Sequence, residues 1–471
     1  MVQIPILNGI YADTAPDLRT ALPVNLMAVP KASGVSNGYL RPGDGVVEIG
    51  TGPGICRGGI VWNGFAYRVM GTKLCLFDAG GTATVLGDVG PGAIGVSNQC
   101  KFDYSFDRLA ITSGGRLYYW DGSLQQVTDP DLGVANTVIW IDGYFMVTDG
   151  EFLVVTDLND PFAVNPLKYG SSEIDPDPVV ALIKLRNEVY AINRDTIEVF
   201  DNVGGALFPF QRTVGAQIQK GSIGRDSCCL YADTIAFLGS GRNEAPGIYL
   251  AANGSALKIS TQEVDQLLLD YTEAQLERVL LEARNDRSHQ LLYVHLPDRT
   301  LAYDVAASKD LQEQVWVELT SAIAGCSQYR IRNLLWVNNA WQACDTTTGK
   351  VGNLTRDRGS HWGDRVRWQF GTSIIYNENA GAIVQRLELV ALTGSIALGF
   401  HPSISTSYST DGVTWSQPRS INVGCIGERA KRLVWFRQGN MRQWRIQRFE
   451  GNSDAHISIM RLDAQLEPLA W

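Results

Sequence analysis

Five histidines, His289, His295, His361, His401 and His456, are the first residues to weigh for chemistry, and they are scattered along the chain. None forms an H-x-x-x-H pair or has a carboxylate at ligand spacing, so each reads as a satisfied strand or loop histidine. Gly50-Thr51-Gly52-Pro53-Gly54 has the glycines of a phosphate cradle, but Pro53 and the lack of a following Lys or helix exclude one. Asp175-Pro176-Asp177-Pro178 could gather a hard cation such as Ca²⁺, although acids spaced by proline in a connection are more often just an exposed loop. No catalytic, cofactor or metal residue is assigned, and the chain is read as non-enzymatic.

The elements around these residues are short strands joined by tight turns, repeating at the spacing of propeller blades. Residues 60–62, 65–69 and 74–77 form one unit, broken by Asn63-Gly64 and Gly71. Residues 109–111, 117–120 and 124–127 repeat it, with Gly114-Gly115 and Asp121-Gly122 as turns; residues 138–141, 144–147 and 152–155 do so with Asp142-Gly143 and Asp149-Gly150. Looser units follow near 179–200, 235–250, 291–319 and 334–354. The expectation is an all-β chain whose main domain is a β-propeller, seven blades by count with six as the rival.

At 471 residues the chain is too long for one ordinary core, and a second domain is expected after the array. The expected divisions are an extended segment over 1–45, a propeller over 46–360 and a C-terminal β-sandwich over 361–471. A small helical insertion is expected near 260–285, where Ser260-Thr261-Gln262-Glu263 and Thr272-Glu273-Ala274-Gln275 read as capping boxes. In the tail, residues 383, 385, 387 and 389 alternate with 384, 386, 388 and 390 as a strand. Asp411-Gly412 reads as a hairpin turn with Trp415 packed across it.

That hairpin resembles the Asp-box turns of sialidases, which are themselves propellers, but its spacing is one residue short and it occurs once. A carbohydrate-binding or glycan-cleaving propeller acting in receptor recognition is therefore kept as the alternative function. Between 428 and 450, Arg429, Lys431, Arg432, Arg437, Arg442, Arg445 and Arg448 face only Glu428 and Glu450, giving +5 within a chain of −9. This run is read as a contact with an acidic patch on a neighbouring subunit or other protein, as a DNA contact, or as a solvated strand face with Trp435, Phe436, Trp444 and Ile446 turned inward. The overall acidic balance argues against a general nucleic-acid binder.

The eight cysteines show no C-x-x-C pair and are expected to be free, buried thiols in a reducing compartment. Residues 1–7 lack a basic start and a long apolar run, so neither a signal peptide nor membrane insertion is expected. In the segment 22–41, Pro23 and Pro30 enforce extended or turn conformations, and the segment is expected to be ordered, as a strand closing the propeller or as an interface.

Leu22-Pro23-Val24-Asn25-Leu26-Met27-Ala28-Val29-Pro30-Lys31, followed by Gly38-Tyr39-Leu40-Arg41, resembles the N-terminal signature of the packaged-DNA stabilisation proteins of short-tailed bacteriophages, the tail accessory or nozzle proteins. The resemblance continues through Thr156-Asp157-Leu158-Asn159-Asp160-Pro161, Asp195-Thr196-Ile197-Glu198-Val199-Phe200 and Gln219-Lys220-Gly221-Ser222-Ile223-Gly224. It reaches Val294-His295-Leu296-Pro297 and weakens to pattern in the C-terminal third. It implies a virion tail protein made in the host cytoplasm, with six copies in a ring below the portal and adaptor. Such a ring would continue the channel for double-stranded DNA, retain the packaged genome, hold a needle or plug distally and carry tailspikes or fibres at its side. On this reading Leu22, Pro23, Asn25, Pro30, Tyr39, Arg41, Arg429, Lys431, Arg432, Arg442 and Arg445 are candidate interface residues, and Asp411, Gly412 and Trp415 a structural hairpin.

Overall fold

The computed structural model describes residues 1–12, 19–31, 36–92, 98–158, 160–252, 254–287, 289–325, 327–377, 381–396, 401–452, 454 and 457–469. Cys326 and His456 lie outside the described residues. Among the described residues, seven antiparallel sheets of four or five strands succeed one another around a propeller. Blades 1 to 6 occupy residues 56–88, 101–126, 137–171, 179–212, 221–258 and 280–319, and blade 7 is built from 331–355 and 45–51. Each innermost strand packs on the next, and Ile331–Val337 of blade 7 packs on Cys56–Trp62 of blade 1. Because both faces of each sheet meet a neighbour, middle strands such as Leu109–Ser113 are buried at every position.

The circle is sealed by Gly45–Thr51, the outermost strand of blade 7, which pairs with Lys350–Thr355 from Gly45↔Thr355 to Thr51↔Lys350. This corrects the reading of residues 22–41 as a closing strand. It also explains the glycines that follow. A Cβ on Gly50 would sit 1.8 Å from the Gly81 carbonyl oxygen, and one on Gly54 3.0 Å from Gly71 Cα, so the crossing from blade 7 to blade 1 runs at backbone contact distance.

Hairpins between the first two strands of blades 1, 3, 4, 5 and 7 use paired left-handed residues, as the strand twist requires. Asn63-Gly64 has φ of 50° and 79°, and Asp142-Gly143 49° and 89°. Arg186-Asn187 (55°, 73°) and Ala232-Asp233 (49°, 60°) make the same turn without a glycine to announce it. Between blades 5 and 6, helices Gln262–Leu269 and Glu273–Leu276 bury Val264, Leu267, Leu268 and Leu276 in the core of these two blades, so the insertion is a packing element. Thr272 N donates to Gln275 Oε1 at 2.9 Å, completing the second capping box. The first is not made: Thr261 gives no side-chain cap, and Ser260 Oγ bonds Asp265 at 2.6 Å. A third helix, Val305–Leu311, was not legible from period; Asp304 caps it by accepting from Ala306 N and Ala307 N.

The second domain stacks two sheets. One contains Trp368–Gly371, Trp444–Gly451, Ser403–Ser409 and Arg419–Asn422 in order, with Ile375–Tyr376 on Trp444–Gly451. The other runs Leu26–Pro30, Gly38–Pro42, Ser458–Pro468, Ala382–Leu392, Leu433–Phe436, with Val2–Ile4 also on Ser458–Pro468. The chain's first strands therefore complete the C-terminal sheet. Phe370 and Phe449 stack with centroids 5.0 Å apart in the core between the sheets. In Ala382–Leu392 a bulge between Val384 and Arg386 shifts the phase: Val384, Leu387 and Leu389 are buried while Gln385 is not, so the expected 383/385/387/389 face is corrected.

His361 sits between the domains, with Nδ1 2.8 Å from Ser321 Oγ. Burial, then the Arg330 charge, pushes its pKa down to about 3. A histidine held neutral when folded but free to protonate near 6.5 when unfolded leaves stability whole above that pH and lowers it as the pH falls toward 3. The expected loss is about 2 kcal/mol at pH 5 relative to pH 7.5. Denaturant titrations of wild type and His361→Gln at both pH values should show this part of the dependence only in wild type.

Candidate functional site

The segment recognised at the sequence level lies between the two domains of one chain. Val24 exchanges backbone hydrogen bonds with Gln369 of the sandwich at 2.8 and 3.0 Å, while Glu318 of blade 6 donates to Pro23 O and accepts from Asn25 N. Asn25 has φ of 52°, a conformation Asn tolerates, and its side chain spans the junction. Its Nδ2 donates to Thr320 O at 2.8 Å and Arg367 O at 2.7 Å, and its Oδ1 accepts from Thr320 N. Arg41 is buried and pairs with Asp44 at 2.9 Å; Asp44 also takes Arg284 of blade 6 at 2.7 Å. Burial alone would raise the Asp44 pKa, but the Arg284 and Arg41 charges outweigh it and hold it at about 2. Pro23, Asn25 and Arg41 are buried, and Leu22, Pro30 and Tyr39 are half-buried. For Pro23, Asn25 and Arg41 an outward interface role is therefore corrected to an internal clamp.

The inner ends of the blades form the second site, where side chains tie one blade to another. Arg225, at the entry of blade 5, donates to Gln99 O before blade 2 at 2.7 Å and to Asn136 O before blade 3 at 3.3 Å. Its neighbour Asp226, fully buried, pairs with Lys101 of blade 2 at 2.8 Å. Lys184 of blade 4 reaches Asp103 of blade 2 at 3.2 Å and Trp140 O of blade 3 at 2.6 Å. These side chains cross-tie blades on different sides of the axis. Nothing in the local sequence signals them, because the partners lie 44 to 126 residues apart.

The sequence candidates for chemistry are used structurally. His289 Nδ1 lies 2.6 Å from Asp304, His295 Nε2 3.0 Å from Glu282, and His401 Nδ1 3.1 Å from Cys425 Sγ. Asp177 accepts from Asp195 N and Thr196 N, tying a turn of blade 4, and Asp175 lies 3.9 Å from Arg242.

A family model described as bacteriophage P22 Gp10, beta-propeller, matches residues 2–359, and a second, bacteriophage P22 Gp10, beta-sandwich, matches 367–467. The chain belongs to the phage P22 Gp10 family. It is a structural protein of a phage tail and a component of the virion, and its family is consistent with the packaged-DNA stabilisation proteins of short-tailed phages. It is 26% identical over 466 residues to the tail hub protein gp10 of Salmonella phage P22, covering 94% of each chain. Among solved structures, it is similar to PorZ of Porphyromonas gingivalis, a component of its type-IX secretion system (TM-score 0.40, 11% identity, 79% of this chain and 46% of that one). It is also similar to the Pan2 WD40 domain of Neurospora crassa (TM-score 0.39, 12% identity, 66% and 95%).

In this Gp10-family chain the basic run divides. Arg429, Lys431, Arg432, Arg437 and Arg442 are exposed, with Lys431 on Glu428 and Arg432 on Glu388. Arg445 is fully buried: it donates to Gln447 Oε1 and Gln438 O and lies 3.8 Å from the Tyr408 ring centroid. Arg445 is thus corrected from a surface contact to a core residue, because its strand is covered on that face. Trp435 and Ile446 point inward as the solvated-face reading has it, Trp444 is half-buried, and Phe436 is 63% exposed, against that reading.

Asp411-Gly412 is no two-residue hairpin turn. It lies in the loop between Ser403–Ser409 and Arg419–Asn422, where Asp411 accepts from Val413 N and Thr414 N and Gly412 takes φ of 77°. Trp415 is half-buried and stacks on the Arg448 guanidinium, 4.1 Å from ring centroid to carbon, rather than packing across the turn. Trp415→Ala is expected to cost only about 1 kcal/mol, read by thermal melting.

Proposed function

We propose that copies of this chain form a ring, six by the family resemblance, that continues the DNA channel below the portal and adaptor and helps retain the packaged genome. The observation that carries this is the tying of blades 2, 3 and 5 to one another at their inner ends by Arg225, Asp226 and Lys101, which favours a DNA path between copies over one through a single propeller. A net charge of −9 suits such a wall, since a surface rich in Lys and Arg would hold phosphates by counterion release and stall movement. The clamp at residues 22–44 suits a part under pressure, because it ties the sandwich to blade 6 through backbone and buried ionic contacts.

The role is structural, without catalysis, and the distal end would hold a needle or plug with tailspikes or fibres beside it. Cryo-electron microscopy of purified tails tests the reading. Six copies around axial DNA density are expected; a single copy, or copies set at the tail's periphery away from DNA, would overturn it.

A further inference from the structure

Charge is segregated along this chain. Residues 101–212, which hold blades 2 to 4, contain eight Lys and Arg against seventeen Asp and Glu, a balance of −9 that equals the charge of the whole protein. The basic counterpart is at the far end of the chain. There the turn after Leu433–Phe436 projects Phe436, Arg437 and Arg442 into solvent. Arg419, also exposed, donates to Phe436 O and Arg437 O, and Tyr376, 57% exposed, pairs opposite Trp444. Among the described residues, no carboxylate is recorded in ion-pair contact with Arg419, Arg437 or Arg442. Arginines set beside exposed aromatics have the composition of an interface centre, and one without its partner.

The acidic arc carries a matching surface. Val164–Ser171 is the outermost strand of blade 3, so one of its edges pairs with no strand of that sheet. It exposes Leu167 (62%) and Tyr169 (50%). The exposed acids Glu151 and Glu173 lie at the end where Phe152 pairs with Ser171, and exposed Asp131 is in the turn Pro130–Leu132 that packs on this strand. An eight-residue edge with apolar side chains is a surface that proteins usually cover.

We infer that the basic aromatic lip at Tyr376, Arg419, Phe436, Arg437 and Arg442 docks on the outer edge of blade 3 in a second copy of this chain. The two patches differ, so the contact is heterologous, the type that closes into rings by rotation, whereas a two-fold dimer would pair one patch with itself. Opposite charge sets the register and speeds encounter, and the aromatic and apolar side chains supply the buried centre. This inference rests on the ring reading above.

Photocrosslinking in intact particles tests it, with Phe436→p-benzoylphenylalanine as the probe. The expected product joins two copies, with the crosslinked peptide inside residues 101–212. Crosslinks to other parts of a second copy, to another tail protein or to DNA, or no crosslink, overturn the docking. Copy number measured on the same tails separates the two failures: one copy per tail sinks the ring itself, while several copies with crosslinks elsewhere sink only this contact. In a second measurement, Arg437→Glu with Arg442→Glu should cut incorporation into tails at least tenfold without changing the melting temperature. Adding Glu151→Lys and Glu173→Lys should restore it, and a fourfold variant that stays unincorporated also overturns the docking.

Discussion

A chain that lacks residues 1–44 is expected to keep a folded propeller and lose its sandwich. The closing strand Gly45–Thr51 survives this deletion, so blade 7 can still seal the circle. The sandwich loses Val2–Ile4, Leu26–Pro30 and Gly38–Pro42, the strands that cover one side of Ser458–Pro468. Ile4, Ile6, Leu26, Met27, Ala28 and Leu40 leave its core. At ~2 kcal/mol for each large side chain the loss is on the order of 10 kcal/mol, comparable to the whole stability of a domain. Limited proteolysis should then yield a protected fragment ending near residue 360 and rapid loss of the remainder. Equal protection of residues 367–467 in the deleted and full-length chains would show that the N-terminal strands only decorate a sheet that folds without them.

The contrast between what the sequence announces and what it hides follows from where each partner lies. Middle strands of blades, such as Leu109–Ser113 and Tyr144–Thr148, are apolar, short and bounded at one or both ends by Gly-containing turns, so both their type and their register are local properties. Outer strands are not: Phe210–Arg212 and Leu124–Gln126 have three residues and one apolar side chain each, and Gly45–Thr51 is buried only at its start. The junction is hidden for another reason. Val2 pairs with Ala464, and Asn25 bonds Thr320 and Arg367, so these contacts of residues 1–44 exist only across 295 residues or more. Arg445 shows the limit of charge counting: residues 445–447 of its strand are all buried, and Tyr408 and Gln447 cover the face that a charge run is expected to leave in water. The resemblance in residues 22–31 pointed to the right family, although buried Pro23 and Asn25 serve the chain's own junction.

Asp44→Asn is expected to destabilise the protein by about 3 kcal/mol, more than its size suggests, because it strands two buried cations. Asp44 is 7% exposed and Arg41 and Arg284 are 4% exposed, so solvent screens the cluster little. Arg284 retains Asp286 at 2.8 Å, whereas among the described residues Arg41 keeps only a backbone bond to Pro42 O at 3.2 Å. The larger part of the loss should therefore run through Arg41. In a double-mutant cycle, adding Arg41→Gln to Asp44→Asn should cost at least about 1 kcal/mol less than the sum of the single changes. The pH dependence gives an independent reading. A carboxylate held at about 2 when folded and near 3.9 when unfolded stabilises fully above about pH 5, and that contribution, about 2 to 3 kcal/mol, is about half gone by about pH 3. The gap between wild type and Asp44→Asn in urea titrations should hold from pH 7 to 5 and narrow below pH 4. A gap that stays constant down to pH 3 would mean that Asp44 acts by packing and not by charge, and an additive cycle would remove Arg41 as its partner.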